Sequence, residues 1–320
     1  MVLNANDKKQ RIDDLAATAG GNVDAGGIDD AEGVSLIRSA WERLRRNPRF
    51  LLGSTIVLLI ILMAIFAPLL APNDPTVEML KDQTSTNNPI PPAQDGYPLG
   101  GDSSGRDLLS RLIYGARQTL LIAFGATGIA FFAGLVLGTL AGAFGGWVDS
   151  LIMRVVDVML SLPSLLLAFS ITALFARGSV WTVIVAIGIA MTPTFARLLR
   201  GSMMAQRSSD HVLAAQSLGV KRHNVIFRHM LPNSLSPVLV QATMVFATSI
   251  VDAAALSFLG VGNPDDRDAE WGQMLGQAQK FVDTYPSQAI LPALLIIAAA
   301  LGFTLMGESL REALDPKSRR

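Results

Sequence analysis

The sequence predicts an all-α, polytopic membrane protein with six transmembrane helices. Half of its 320 residues are hydrophobic, only 16% are charged, and the mean hydropathy is +0.41. The charged residues therefore fall between long apolar runs. A bilayer core about 30 Å thick requires about 20 apolar residues in a helix. The runs that reach this length are about 50–72, 119–146, 155–176, 179–198, 235–259 and 287–307.

Basic residues predict the orientation of these helices. If the N-terminus is cytoplasmic, 19 of the 26 lysines and arginines lie on the inner side of the membrane. Positive residues close to membrane spans favour the cytoplasmic face. The termini and the loop 199–234 are therefore predicted to be cytoplasmic. The arginines crowded before the first span are Arg38, Arg43, Arg45, Arg46 and Arg49.

The remaining segments are defined by composition. The first apolar run starts too late, and is too long, to be a cleaved signal peptide, so we interpret it as an uncleaved anchor. The absence of cysteine excludes disulfides and thiolate metal sites, and a net charge of zero gives no reason to expect a nucleic-acid partner. The predicted segments are a disordered cytoplasmic lead (1–33), a cytoplasmic helix with the first span (34–72), an external loop (73–118), a core (119–307) containing the cytoplasmic loop 199–234, and a cytoplasmic tail (308–320).

Small residues recur every four positions in the second predicted span, at Gly134, Gly138, Gly142 and Gly146. In a helix they lie near one face and allow a second backbone to approach closely. This pattern predicts a helix-packing seam. It is equally compatible with a special interface of a transporter and with ordinary packing inside a bundle.

Asp252 is an acidic residue inside the fifth predicted span. A carboxylate at the middle of a bilayer costs about 2.5–3.5 kcal/mol on insertion scales, so it should face protein or water. One hypothesis is that Asp252 lines a translocation path or pairs across an interface. The other is that it lies near the outer boundary and is simply solvated.

The polar stretch 207–237 is longer than a connection between two spans requires, because loops in compact domains average about 4–6 residues. Ser208, Ser209 and Asp210 are good N-cap residues for a short helix over about 210–217. Gly219 suits the turn that ends it. Such a helix is expected to expose Ala214 and Ala215 as a smooth docking face. The alternative is a helix that lies on the membrane surface.

Two other patterns do not support catalytic or metal sites. The stretch Gly100–Asp107 comes close to a phosphate-binding loop, but Arg106 replaces the lysine and Asp107 would repel phosphate. Any ATP hydrolysis therefore belongs to a separate protein. The three histidines, His211, His223 and His229, have no spacing that places a pair on one helical face, so no metal site is predicted.

The cytoplasmic stretch resembles the EAA loop of bacterial ABC importer permeases. The match consists of Ala214, Ala215 and Gly219, followed by the run 227–233 with His229, Pro232 and Asn233. The resemblance extends from about residue 34 to 320 and is closest to the second permease subunit of dipeptide, oligopeptide and nickel importers. Further matching stretches are Pro98–Gly100, Gly105–Asp107, Ser110–Arg111, Tyr114–Arg117, Leu256–Gly260, Trp271–Gly272, Met274–Leu275, Leu310–Arg311 and Leu314–Pro316.

This resemblance implies a type I ABC importer permease fold in a bacterial inner membrane and a translocation path for peptides. Nickel or another small solute is the alternative cargo. The implied partners are a homologous permease subunit, two ABC ATPase subunits, an external solute-binding protein and membrane lipid. The resemblance implies no cofactor and no enzymatic chemistry in this chain, because ATP and magnesium would be bound by the ATPase subunits. A secondary transporter driven by an ion gradient is the alternative of another class, but Asp252 alone is not a relay of acids.

One departure from the family pattern concerns the docking helix itself. The glutamate that usually opens the EAA motif is Leu213 here. A carboxylate contact with the ATPase is therefore missing, or it is supplied by the nearby Asp210.

Overall fold

The computed structural model describes residues 41–175 and 178–314, and within these ranges the regular secondary structure is helical. Among the described residues, five helices are long and apolar enough to cross a membrane, and a bent pair makes a sixth span. The prediction of an all-α, six-span membrane protein is confirmed. The helices are α1 (Pro48–Ile65), α2 (Ala67–Leu70), α3 (Leu108–Phe144), α4 (Gly146–Leu160), α5 (Ser164–Thr172), α6 (Val180–Arg207), α7 (Asp210–Ser217), α8 (Leu231–Phe258), α9 (Trp271–Ala278) and α10 (Ser287–Leu314).

The N-terminus of α1 is capped by the residue that precedes it in the sequence. The side chain of Asn47 accepts hydrogen bonds from the backbone N–H groups of Arg49, at 2.9 Å, and Phe50, at 3.4 Å. Pro48 follows at the first helical position, where its missing N–H is not needed. The predicted lead, residues 1–33, lies outside the described residues, as does the end of the predicted tail, which begins as the last turns of α10.

Helix α3 begins at Leu108, whereas the apolar run predicted a start near 119. Asp107 is its N-cap and accepts a hydrogen bond from the Ser110 N–H at 3.2 Å. The first three turns are too polar to register as a span, and they are buried by contacts from distant parts of the chain. The last residues of the predicted external loop 73–118 therefore belong to a helix.

The third span is broken, and the break is sharper than a kinked helix. Helices α4 and α5 meet at 92° across Ser161–Pro163, and Pro163 is the N-cap residue of α5. Proline has no N–H to continue a helical ladder, so a break here is physically expected. An ion pair between Asp149 and Arg200 ties α4 to α6.

Helix α6 occupies the centre of the bundle. In its most apolar 18-residue window 72% of the residues are buried, compared with 22% in α1 and 28% in α10. Helices α1 and α10 therefore lie at the periphery of the bundle. Pro193 is buried inside α6, and the helix continues through it to Arg207.

The connection between α8 and α10 folds back onto the bundle through α9. Trp271 is fully buried, and its Nε1 donates a hydrogen bond to the Leu112 carbonyl at 2.8 Å. Gly115 leaves the space for this indole, since a Cβ there would lie 2.5 Å from the Trp271 ring. A Cβ on Gly272 would lie 2.4 Å from the Ala254 Cα. Trp271 and Gly272 thus pack tightly between α3 and α8.

Candidate functional site

The docking segment, residues 208–230, connects the central helix α6 to α8. It consists of α7, a short helical turn at Arg222–Asn224 and a π-helical turn at Val225–Met230. The predicted helix over 210–217 and the observed α7 coincide. The segment thus contains a defined helix–turn–helix arrangement on one end of the bundle.

Gly219 ends α7 in the conformation that its sequence position suggests. Its φ is +75°, a left-handed value that side chains disfavour. The Gly219 N–H donates to the Gln216 carbonyl at 3.0 Å, and the Val220 N–H donates to the Ala215 carbonyl at 3.1 Å. This pair of bonds is a Schellman motif.

The N-terminus of α7 differs from its prediction. Ser209 occupies the N-cap position, but its hydroxyl donates to the Gln206 carbonyl at 2.6 Å and caps no backbone N–H. Asp210 lies in the first turn, where its negative charge interacts favourably with the helix dipole. Asp210 therefore supports the helix by charge.

Helix α7 exposes only half of the predicted small-residue face. Ala214 is exposed, but Ala215 is buried beneath the helix together with Val212. The prediction that Ala215 is part of the exposed face is wrong, because these two residues anchor α7 to the bundle. The docking segment also exposes large apolar side chains, and we name its exposed apolar residues the apolar docking face: Leu213, Ala214, Leu218 and Phe227, of which Leu218 is 84% exposed.

Polar contacts join α7 to the start of α8. The Asn233 side-chain amide donates to the His229 carbonyl at 2.7 Å and lies 3.3 Å from the His211 Nε2. Pro232, which has no N–H to donate, lies in the turn where the backbone changes from π to α. The structure thus brings Asn233 to His211 in the N-terminal turn of α7, and His229 and Pro232 lie in the adjoining turn before α8.

Arg222 ties the docking segment to the end of α3. Its Nη2 donates to the Ala143 carbonyl at 2.9 Å and lies 3.4 Å from the Phe144 carbonyl. Its guanidinium also lies over the Phe144 ring, 5.4 Å from the centroid. Sequence reasoning missed this role, since an exposed arginine in a loop gives no sign of its target. Arg222 thus forms a direct contact between the docking segment and the end of α3.

The glycine stripe of α3 contacts the central helix α6. A Cβ on Gly134 would lie 2.3 Å from the Phe195 Cβ, one on Gly138 2.8 Å from the Ala196 carbonyl oxygen, and one on Gly142 2.9 Å from the Met203 Cβ. Gly146 does not belong to this seam. Helix α3 ends at Phe144, and nothing lies within 4 Å of a Cβ built on Gly146, which has a φ of +57° and starts α4.

Asp252 is buried in α8 and lies beside Ser164, the first residue of α5. Its Oδ2 has no hydrogen-bond partner among the described residues. The carboxylate thus faces the N-terminus of α5, where the helix dipole favours a negative charge. This placement differs from a solvated position at the membrane boundary.

A buried ion cluster, which we name the arginine clamp, holds the N-terminal end of α3. Arg106 and Arg111 both pair with the Asp102 Oδ2, through Nε atoms at 2.9 and 3.2 Å. Both arginines also donate to the Asp266 backbone carbonyl, at 2.7 and 3.0 Å. The clamp therefore connects two loops that are about 160 residues apart. The stretch Gly100–Asp107 therefore has a structural role, although its sequence comes close to that of a phosphate-binding loop.

Glu270 is a buried acid outside the spans. It is 4% exposed, and its Oε1 accepts a hydrogen bond from the Gly272 N–H at 3.2 Å. Burial raises the pKa of its carboxyl from the ordinary 4.5 to about 7, against the opposing effect of hydrogen bonds from Ser257 and the backbone. The folded chain therefore binds this proton more tightly than the unfolded chain.

This pKa shift predicts a pH dependence of stability. The stabilisation from the bound proton is complete below pH 4.5 and is lost as the pH rises through about 7. Glu270→Gln should therefore flatten the decline of the thermal midpoint between pH 5 and pH 8, measured on the purified chain in detergent. Glu308→Gln, at an exposed glutamate, is the control. An unchanged decline in Glu270→Gln would contradict the assignment.

In the described residues, no group of three His, Cys, Asp or Glu side chains is placed to hold a metal ion. The site is therefore built from an apolar face, a left-handed turn and anchors to α3 and α8. These features suit the binding of a protein surface.

Comparisons with known proteins identify similar chains. Residues 134–320 match a family model described as the binding-protein-dependent transport system inner membrane component. Residues 35–92 match the N-terminal TM domain of oligopeptide transport permease C. The dipeptide transport system permease protein DppC of Alkalihalophilus pseudofirmus is 39% identical over 91% of this chain and 93% of that protein. The oligopeptide transport system permease protein OppC of Bacillus subtilis is 35% identical over 98% of this chain and 99% of that protein. The glutathione transport system permease protein GsiD of Pectobacterium atrosepticum is 38% identical over 88% of this chain and 91% of that protein.

Solved structures share the fold at low identity. The MetNI methionine ABC transporter, in inward-facing conformations, contains a chain with a TM-score of 0.53 and 17% identity, covering 65% of this chain and 98% of that one. An amino acid ABC transporter crystallised with histidines gives a TM-score of 0.50 and 17% identity, covering 62% and 92%. At this identity the likeness concerns the fold alone.

Proposed function

Because this chain belongs to the family of binding-protein-dependent transport system inner membrane components, as an ABC importer permease subunit, we propose that it imports short peptides under the drive of separate ATPase subunits. Its relatives named as dipeptide, oligopeptide and glutathione permeases support a peptide cargo. Transport of a labelled dipeptide by the assembled importer tests this choice. Uptake of a small solute such as a nickel complex, with no uptake of any peptide, would overturn it.

The proposal that an ATPase drives this subunit rests on the apolar docking face. Three large apolar side chains, Leu213, Leu218 and Phe227, point outward from a segment that is firmly anchored at its base. Exposed apolar groups of this kind are typical of protein interfaces. With Leu213 in place of the family's glutamate, we expect the ATPase groove to contact this helix through apolar surface. ATP and magnesium would be bound by that partner.

The anchors of the docking segment suggest how movement passes into the membrane. Closure of two ATPase subunits would pull α7, and Arg222 would transmit the displacement to the end of α3. The glycine seam holds α3 tightly against α6, so the two helices would move together. Alternating access would then arise from rigid-body motion of the bundle halves.

The proposed assembly places this chain beside a homologous permease subunit, with an external solute-binding protein on the opposite face. The distribution of basic residues supports cytoplasmic termini in the inner membrane. Asp252 remains the candidate for the translocation path, since its Oδ2 is unpaired among the described residues. Full uptake by an Asp252→Leu variant would remove it from that path.

Gly219→Val tests the coupling role. Valine at a φ of +75° is strained by about 1–3 kcal/mol, which should displace the end of α7. We expect the loss of peptide-stimulated ATP hydrolysis in the reconstituted importer, with unchanged amounts of the chain in the membrane.

Gly219→Asn is the matched control, because asparagine tolerates the left-handed region. It should retain most of the stimulated hydrolysis. Unchanged stimulation in Gly219→Val would show that this turn does not transmit the ATPase motion.

A further inference from the structure

A groove runs along α3 where this helix passes α1, α8 and α10. Two cavities, of about 600 and 350 Å³, share the rings of Phe124, Phe246 and Phe303. They are therefore two parts of one space, which we name the lateral groove. Ile61 and Ile65, at the end of α1, line its wider part.

The described residues that line the lateral groove are apolar, apart from Arg117 at its mouth and two threonines. Its two threonines are already engaged: the Thr127 Oγ1 bonds to the Ser249 Oγ at 3.4 Å, and the Thr243 Oγ1 donates to the Val240 carbonyl at 2.7 Å. A peptide needs placed donors and acceptors in its binding site, whereas an acyl chain needs none. The groove therefore suits a hydrocarbon chain rather than the cargo.

Arg117 lies at the mouth of this groove, on the same face of α3 as Phe124 and level with the end of α1. It is exposed, and its guanidinium makes no ion pair or hydrogen bond with the described residues. Its contact there is the Tyr114 ring, 6.0 Å from the guanidinium carbon to the centroid. An exposed guanidinium at the boundary of a span matches a phosphate, which it binds through paired hydrogen bonds.

Gly128 supplies a second observation. It lines the narrow part of the groove, and nothing lies within 4 Å of a Cβ built on it. The glycine is therefore not needed for helix packing, although glycine in a helix costs about 1 kcal/mol relative to alanine. Its effect is to leave room in the groove.

From the exposed guanidinium of Arg117, the apolar walls and the open space beside Gly128, we propose that the lateral groove binds a membrane glycerophospholipid. The phosphate is held by Arg117 at the leaflet where α1 ends, and an acyl chain lies along α3 past Phe124 to Gly128. This site is separate from the docking segment and from Asp252. It does not depend on the identity of the cargo.

The test uses the assembled importer in liposomes that contain phosphatidylglycerol with a diazirine in one acyl chain. After irradiation, the label is mapped on peptides of this chain. We expect label concentrated on 121–132 and 239–246. Arg117→Gln should reduce it severalfold by removing the phosphate contact, and Gly128→Leu should reduce it by filling the groove.

Two control variants keep the result interpretable. Arg154→Gln removes an exposed arginine of α4, and Ile297→Phe adds bulk on the exposed side of α10; both positions are outside the groove, and labelling should be unchanged. Label spread evenly over all exposed spans, or equal labelling of Arg117→Gln, would overturn the proposal. So would equal labelling by a diazirine diacylglycerol without phosphate. Absence of label from α3 in the assembled importer would mean that a protein covers the groove, and would also overturn it.

Discussion

Asp102→Asn is expected to lower the free energy of unfolding by about 3–5 kcal/mol, the typical cost of removing one partner from a buried ion pair. Asp102 holds both arginines of the clamp, and Arg106 and Arg111 are 1% and 0% exposed. Without the carboxylate, two buried guanidinium groups share backbone carbonyls and the more distant Asp266 carboxylate, at 3.4 Å from Arg106. The measurement is denaturant unfolding of the purified chain in mixed micelles.

Asp265→Asn is the control for this experiment. Asp265 pairs with Arg267 at 2.9 Å, but both side chains are exposed and screened by solvent, so the free energy of unfolding should be nearly unchanged. The two variants make the same chemical change, one in a buried ion cluster and the other in an exposed ion pair. Equal stabilities of the two variants would contradict a buried, stabilising clamp.

Gly134→Ala is expected to destabilise the chain by about 1–3 kcal/mol, the usual range for overpacking in a filled interior. The added methyl group would lie 2.3 Å from the Phe195 Cβ and 3.1 Å from the Ala196 nitrogen. Because α6 is the most buried span, α3 must move away to accept it. Unfolding in mixed micelles again provides the measurement.

Gly128→Ala is the matched control on the same helix. Its added Cβ meets nothing within 4 Å, and the better helix propensity of alanine should leave stability unchanged or raise it by up to about 1 kcal/mol. Opposite responses of the two variants are thus expected. If both variants lost stability equally, helix packing at Gly134 would not be the reason.

The spans were predictable from composition, but their ends were not. The start of α3 at Leu108 depends on the Asp107 cap and on burial of Arg111 by a loop about 155 residues away. A hydropathy pattern identifies apolar segments. It carries no information about a contact such as that between Arg111 and the distant Asp266. The break before α5 lies at Pro163, but a proline in the sequence does not by itself specify a 92° turn.

Among the candidate site residues, too, some features were predictable from the sequence and others were not. The left-handed turn at Gly219 followed from the sequence, because few other residues accept that backbone conformation. The burial of Ala215 and the exclusion of Gly146 from the seam did not follow. Both depend on where a neighbouring helix lies, which a four-residue spacing does not specify.

The sequence by itself determined the six spans, the family and the position of the docking segment, because apolar length and local backbone preferences act over short stretches of chain. The tertiary structure alone decided which face of α7 points outward, which glycines contact α6 and how two buried arginines share Asp102. It also decided that Arg117 opens onto an apolar groove. These features arise from contacts between residues far apart in sequence, and packing and charge pairing are resolved only when the helices come together.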